Sequence, residues 1–142
     1  MNKLIAFVLL GVFAVFAAAC GSSSTSTANA GKAIKSVPAG NNLTVTLSNS
    51  DGVLHKGKQD FTLTFADASG KPVDVGAVSL NFFMPAMGSM AAMNNPATFT
   101  TTNTPGVYAG KADIEMGGEW QAQIAYDGPA GKGKANLPVT AQ

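Results

Sequence analysis

Leu43-Thr44-Val45-Thr46-Leu47-Ser48 alternates apolar and hydroxyl side chains without a break, and Phe61-Thr62-Leu63-Thr64-Phe65 repeats the pattern further along. A period of two sends the two kinds of side chain to opposite faces of an extended chain, so both stretches read as strands with one buried face. Each closes in turn-forming residues, Asn49-Ser50-Asp51-Gly52 after the first and Asp67-Ala68-Ser69-Gly70-Lys71-Pro72 after the second.

The same alternation continues toward the C-terminus. Val78, Leu80, Phe82 and Met84 share one side of a third strand, which Pro85 ends by withholding a backbone donor. Thr98 to Thr102 can form a short strand before the turn Asn103-Thr104-Pro105-Gly106. Tyr108, Ala112, Ile114 and Met116 then lie opposite Lys111, Asp113 and Glu115, and after Gly117-Gly118 the run Trp120, Ala122, Ile124, Tyr126 alternates with Gln121, Gln123 and Asp127. Ala135, Leu137 and Val139 mark a last strand. No segment after the N-terminal region keeps a helical period. Residues 41–142 are therefore expected to be all-β, a seven-stranded immunoglobulin-like β-sandwich with Trp120 and the inward aromatics in its core.

The N-terminus has a different character. Lys3 is followed by an apolar run from Leu4 to Phe16 and by the small residues Ala17-Ala18-Ala19, the three parts of an export signal over residues 1–19. Cys20, the only cysteine, stands directly after them and before Gly21-Ser22-Ser23-Ser24. Small residues ending in cysteine resemble the lipobox of bacterial lipoproteins, although Ala17 stands where that pattern usually has Leu. The resemblance implies that Cys20 is acylated and becomes the mature N-terminus, held in the membrane by about 0.8 kcal/mol per buried methylene. Gly21 is not the Asp that favours inner-membrane retention in enteric-type bacteria, so in a Gram-negative host the periplasmic face of the outer membrane is expected. Residues 20–40, rich in Ser, Thr, Ala and Gly, read as a flexible tether.

Charge excludes one class of partner. The mature chain has eight Lys, no Arg and eight Asp and Glu, a balance unsuited to nucleic acid. With one His, one Cys and scattered carboxylates, no nucleophile is paired with a base, and an enzyme is not expected.

The chemistry concentrates in Met84-Pro85-Ala86-Met87-Gly88-Ser89-Met90-Ala91-Ala92-Met93, four methionines at a constant step of three. A step of three suits neither a strand nor a long helix, so a turn leaving the third strand is expected. Thioethers are soft, uncharged donors that suit Cu(I) or Ag(I) and need lose no proton to bind. They are also adaptable apolar groups that fill gaps and form docking surfaces, so packing or docking stands as the alternative to metal. His55, in the loop from Gly52 to Gln59, could complete a metal site only if that loop reaches the same end of the sandwich. Met87 and Met90 are the expected centre of the site, with Met84 as third donor and Met93 or His55 as contingent ones.

Lys71-Pro72-Val73, Met84-Pro85-Ala86-Met87-Gly88-Ser89-Met90, Pro105-Gly106-Val107-Tyr108 and Gly118-Glu119-Trp120 together resemble the YtkA-like domain, which is related to the FixH-like proteins. The likeness runs from about Gln59 to Thr140. It implies an exported or membrane-anchored β-sandwich associated with heavy-metal efflux or with copper supply to oxidases. It also marks Met84, Met87 and Met90 as the metal segment, with Met93 an extension and His55 outside it. The expected function is a lipid-anchored periplasmic domain that binds Cu(I) for storage, delivery or tolerance, with an efflux or oxidase-assembly protein as partner. The alternative is a metal-free envelope interaction module.

Overall fold

The structure, a computed structural model, describes residues 31–142. The expected signal peptide, Cys20 and the first part of the tether lie outside the described residues. Nine strands follow one another: β1 (Lys32–Gly40), β2 (Leu43–Asn49), β3 (Gly57–Ala66), β4 (Ala77–Met84), β5 (Met93–Pro96), β6 (Thr98–Thr101), β7 (Val107–Ile114), β8 (Gly118–Gly128) and β9 (Gly131–Ala141). They form two antiparallel sheets, ordered β1-β2-β3-β7-β6 and β5-β4-β8-β9. Setting β1 and β5 aside leaves β2-β3-β7-β6 packed on β4-β8-β9, the strand order of an immunoglobulin constant-type sandwich.

The alternation that defines the strands also defines the core. Val45, Leu47, Leu63 and Phe65 from one sheet meet Leu80, Phe82, Trp120, Ala122, Ile124 and Leu137 from the other, all buried. Phe61 stacks edge-on against Phe82 across the sandwich at 5.9 Å and against Phe99 at 5.7 Å. The space for these rings comes from Gly110, an inward position on β7 where a Cβ would collide with the Phe61 ring. Tyr108 is buried to the hydroxyl, which accepts the Val75 N–H at 3.3 Å and can donate to Asp74 Oδ1 or the Gly76 carbonyl. Burial pushes this phenol above its ordinary value of 10.0, and the Asp74 carboxylate adds to the effect.

Seven of the nine strands are the expected ones; β1 and β5 are additional. The boundary of the tether is corrected, because Lys32–Gly40 pairs along β2 from Lys32↔Asn49 to Gly40↔Leu43. Its sequence does not alternate and only Ala39 is fully buried, with Ile34 and Val37 packed against the core. What orders it is the open edge of β2 on one side and β9 running beside it on the other. Two asparagines with positive φ, Asn41 (52°) and Asn42 (58°), close the β1–β2 hairpin. At the opposite side of the sandwich the chain steps from β5 directly to β6 through Ala97, whose N–H donates to the Leu80 carbonyl at 2.9 Å.

Candidate metal site at the methionine hairpin

The methionine segment is the tip of the β4–β5 hairpin. Asn81 pairs with Pro96, Phe82 with Asn95, Phe83 with Asn94 and Met84 with Met93. Pro85 has no N–H to continue the ladder, and Ala86, Ala91 and Ala92 lie outside the strands. The register nevertheless resumes at the tip. Met87 and Met90 exchange both backbone hydrogen bonds, at 3.1 and 2.9 Å, around a two-residue turn of Gly88 and Ser89. Gly88 has φ +55° at the first central position, where a two-residue hairpin turn requires a left-handed residue.

This geometry explains the step of three. In a hairpin, directly opposed residues project to the same side, and a shift of three along an extended strand changes sides. The four methionines therefore resolve into two cross-strand pairs of different environment. Met84 is 1% exposed and its terminal methyl packs toward Gly118, while Met93, half-buried, packs against the core beside it in register. Met87 and Met90, 53% and 41% exposed, are the two large apolar side chains that stand out in solvent among the described residues. As an opposed pair, their thioethers leave the same side of a tight turn.

The expected donors therefore fall into three groups. Met87 and Met90 are together and accessible. Met93 is partly accessible but paired with Met84 on the side that packs against the core, and Met84 belongs to the core. His55 sits at the same end of the sandwich, since Leu54 pairs with Ala141 and Ala141 with Gly118. Its imidazole Nε2, however, is 2.7 Å from Asp51 Oδ2. That contact holds the Asp51 carboxyl below its ordinary value of 3.8. A fifth methionine, Met116, reaches the same end half-buried, and its carbonyl accepts the Trp120 indole N–H at 3.0 Å. It lies two residues past the end of β7, in the turn that Gly117-Gly118 marks in the sequence, and not on the strand face shared by Tyr108 and Ile114.

Beside the tip lies a groove of about 270 Å³ whose lining mixes Pro85, Met87, Trp120 and Pro138 with the charged Lys35 and Glu119. No acidic or basic residue stands between Asp74 and Lys111, so the whole hairpin is uncharged. Among the described residues no three His, Cys, Asp or Glu side chains gather as a potential metal site.

Residues 39–125 match the YtkA-like family, a span that starts at the end of β1 and includes the complete methionine hairpin. The chain belongs to the YtkA-like family. No match is found among curated proteins or among solved structures. In this YtkA-like domain the segment Met84 to Met90 is thus divided between two jobs, one residue closing the core and two displayed at the tip.

Proposed function

We propose that this protein is a lipid-anchored, exported YtkA-like domain that binds Cu(I) at the tip of its β4–β5 hairpin and handles it as cargo. The reading rests on one observation, the exposed cross-strand pair Met87 and Met90. Two neutral, polarizable donors on the same side of a rigid turn fit a soft monovalent ion, and they offer little to hard divalent ions that require oxygen ligands. Met93 is the nearest further thioether in the register. Met84 is reserved for packing. Two accessible thioethers make an open donor set, suited to an ion that is received and passed on. The role is one of binding rather than catalysis, in copper storage, delivery or tolerance.

The exposure of the same two side chains beside a groove of mixed lining also supports a metal-free docking surface. Competition for Cu(I) against a chromophoric chelator separates the readings. The wild-type domain is expected to withdraw Cu(I) from the chelator, and the Met87→Leu/Met90→Leu variant to do so at least tenfold less well. Equal competition by the two proteins would leave docking as the function.

A further inference from the structure

The described chain begins at the methionine end of the sandwich. Lys32 pairs with Asn49, at the end of β2 that leads into the His55 loop. That loop meets Ala141, Ala141 pairs with Gly118, and Gly118 receives the methyl of Met84. Lys35, three residues into β1, lines the same groove as Met87. The turns at residues 41–42, 67–72, 103–106 and 128–131 occupy the other end.

Cys20 lies twelve residues before Lys32, a span of at most about 40 Å when fully extended. The strands themselves are about 30 Å long. The chain leaves the sandwich at the methionine end, so that rim has the shorter path to an anchor at Cys20, and the reach of about 40 Å lets it lie flat on the membrane. The tip facing that anchor, Pro85-Ala86-Met87-Gly88-Ser89-Met90-Ala91-Ala92, is uncharged throughout and exposed. It carries no charge of its own to oppose contact with the headgroup edge of a bilayer, Lys35 and Glu119 lie beside it in the groove, and its two protruding side chains are apolar and flexible.

We infer that the methionine hairpin rests against the lipid surface of the membrane that carries the Cys20 anchor, so that the thioether pair is presented at the bilayer and not toward the aqueous compartment. The inference rests on the anchored reading given above. The acyl chains supply residence on the membrane, and the hairpin supplies orientation. Cu(I) would accordingly be exchanged at the membrane surface, by ligand substitution at the thioethers with no change of oxidation state.

The full-length, lipidated protein tests this in vesicles of phosphatidylethanolamine and phosphatidylglycerol that include nitroxide-headgroup lipid. A fluorophore is attached at Ser89→Cys in the tip or at Ser69→Cys in the distal turn, Cys20 being blocked by its lipid. The expected result is co-flotation of both proteins with the vesicles and several-fold stronger quenching at position 89 than at 69. Co-flotation with equal or reversed quenching overturns the orientation and leaves the anchor intact. Failure to float overturns the anchor and the orientation with it. Quenching at position 89 only when extracted membrane proteins are incorporated would place a protein, not lipid, against the tip and overturn the inference.

Discussion

Met84 and Met87 have the same side chain and stand three residues apart, yet one is sealed in the core and the other is exposed at the tip. Their substitutions should therefore separate stability from binding. Met84→Ala removes buried thioether volume and is expected to cost about 2–5 kcal/mol. Met87→Ala and Met90→Ala are expected to stay within about 0.5 kcal/mol of wild type. Urea unfolding followed through Trp120 fluorescence checks both. Tyr108 gives a second residue-scale test. Its phenol has a raised pKa in the folded protein, so its contribution is complete below about pH 10 and is lost as the pH climbs through the raised value. Tyr108→Phe should be less stable than wild type by about 1 kcal/mol at neutral pH, through the lost hydroxyl contacts. The gap should narrow as denaturation is measured at progressively higher pH above 10; a constant gap would mean that ionisation of Tyr108 is not linked to folding.

At the scale of elements, the strands visible in the sequence are those whose own side chains pattern them. β2 and β3 announce themselves through Leu43 to Ser48 and Phe61 to Phe65, because each buries one face along most of its length. β1 and β5 do not, since their order is supplied by neighbours: β1 by the edge of β2 and by β9, β5 by its register with β4. One local signal was available, because Asn41-Asn42 is a pair that tolerates the left-handed conformation of a two-residue hairpin turn. The candidate site was legible to the same degree. Composition and spacing identified the thioethers, but the division into an inner and an outer pair depends on the hairpin register, which a step of three does not disclose. β1 carries its own prediction. A chain beginning at residue 41 loses the buried Ala39, the packed Ile34 and Val37 and the Tyr126 hydroxyl's bond to the Ala39 carbonyl. It is expected to be less stable by about 2–3 kcal/mol, a fall in Tm of roughly 10–20 °C by calorimetry; an unchanged Tm would mean that β1 contributes nothing to the folded domain.

For the whole molecule, the sandwich topology gives one end a distinct composition. The immunoglobulin-like order brings the β4–β5 tip, the start of β8 and the loop after β2 together, so that residues distant in sequence, Met87, Met93 and Met116 among them, share one rim. The opposite end is built from Asn, Asp, Gly and Pro turns and holds no methionine. That asymmetry, with the N-terminal segment arriving at the methionine rim, makes the domain a directional object. Copper binding at this rim requires the outer pair, Met87 and Met90, as its ligands. With the domain labelled at its methionine methyls with carbon-13, anaerobic addition of Cu(I) is expected to shift the Met87 and Met90 resonances up to one equivalent while Met84 stays in place; no shift at any methyl, or a shift led by Met84, would contradict it.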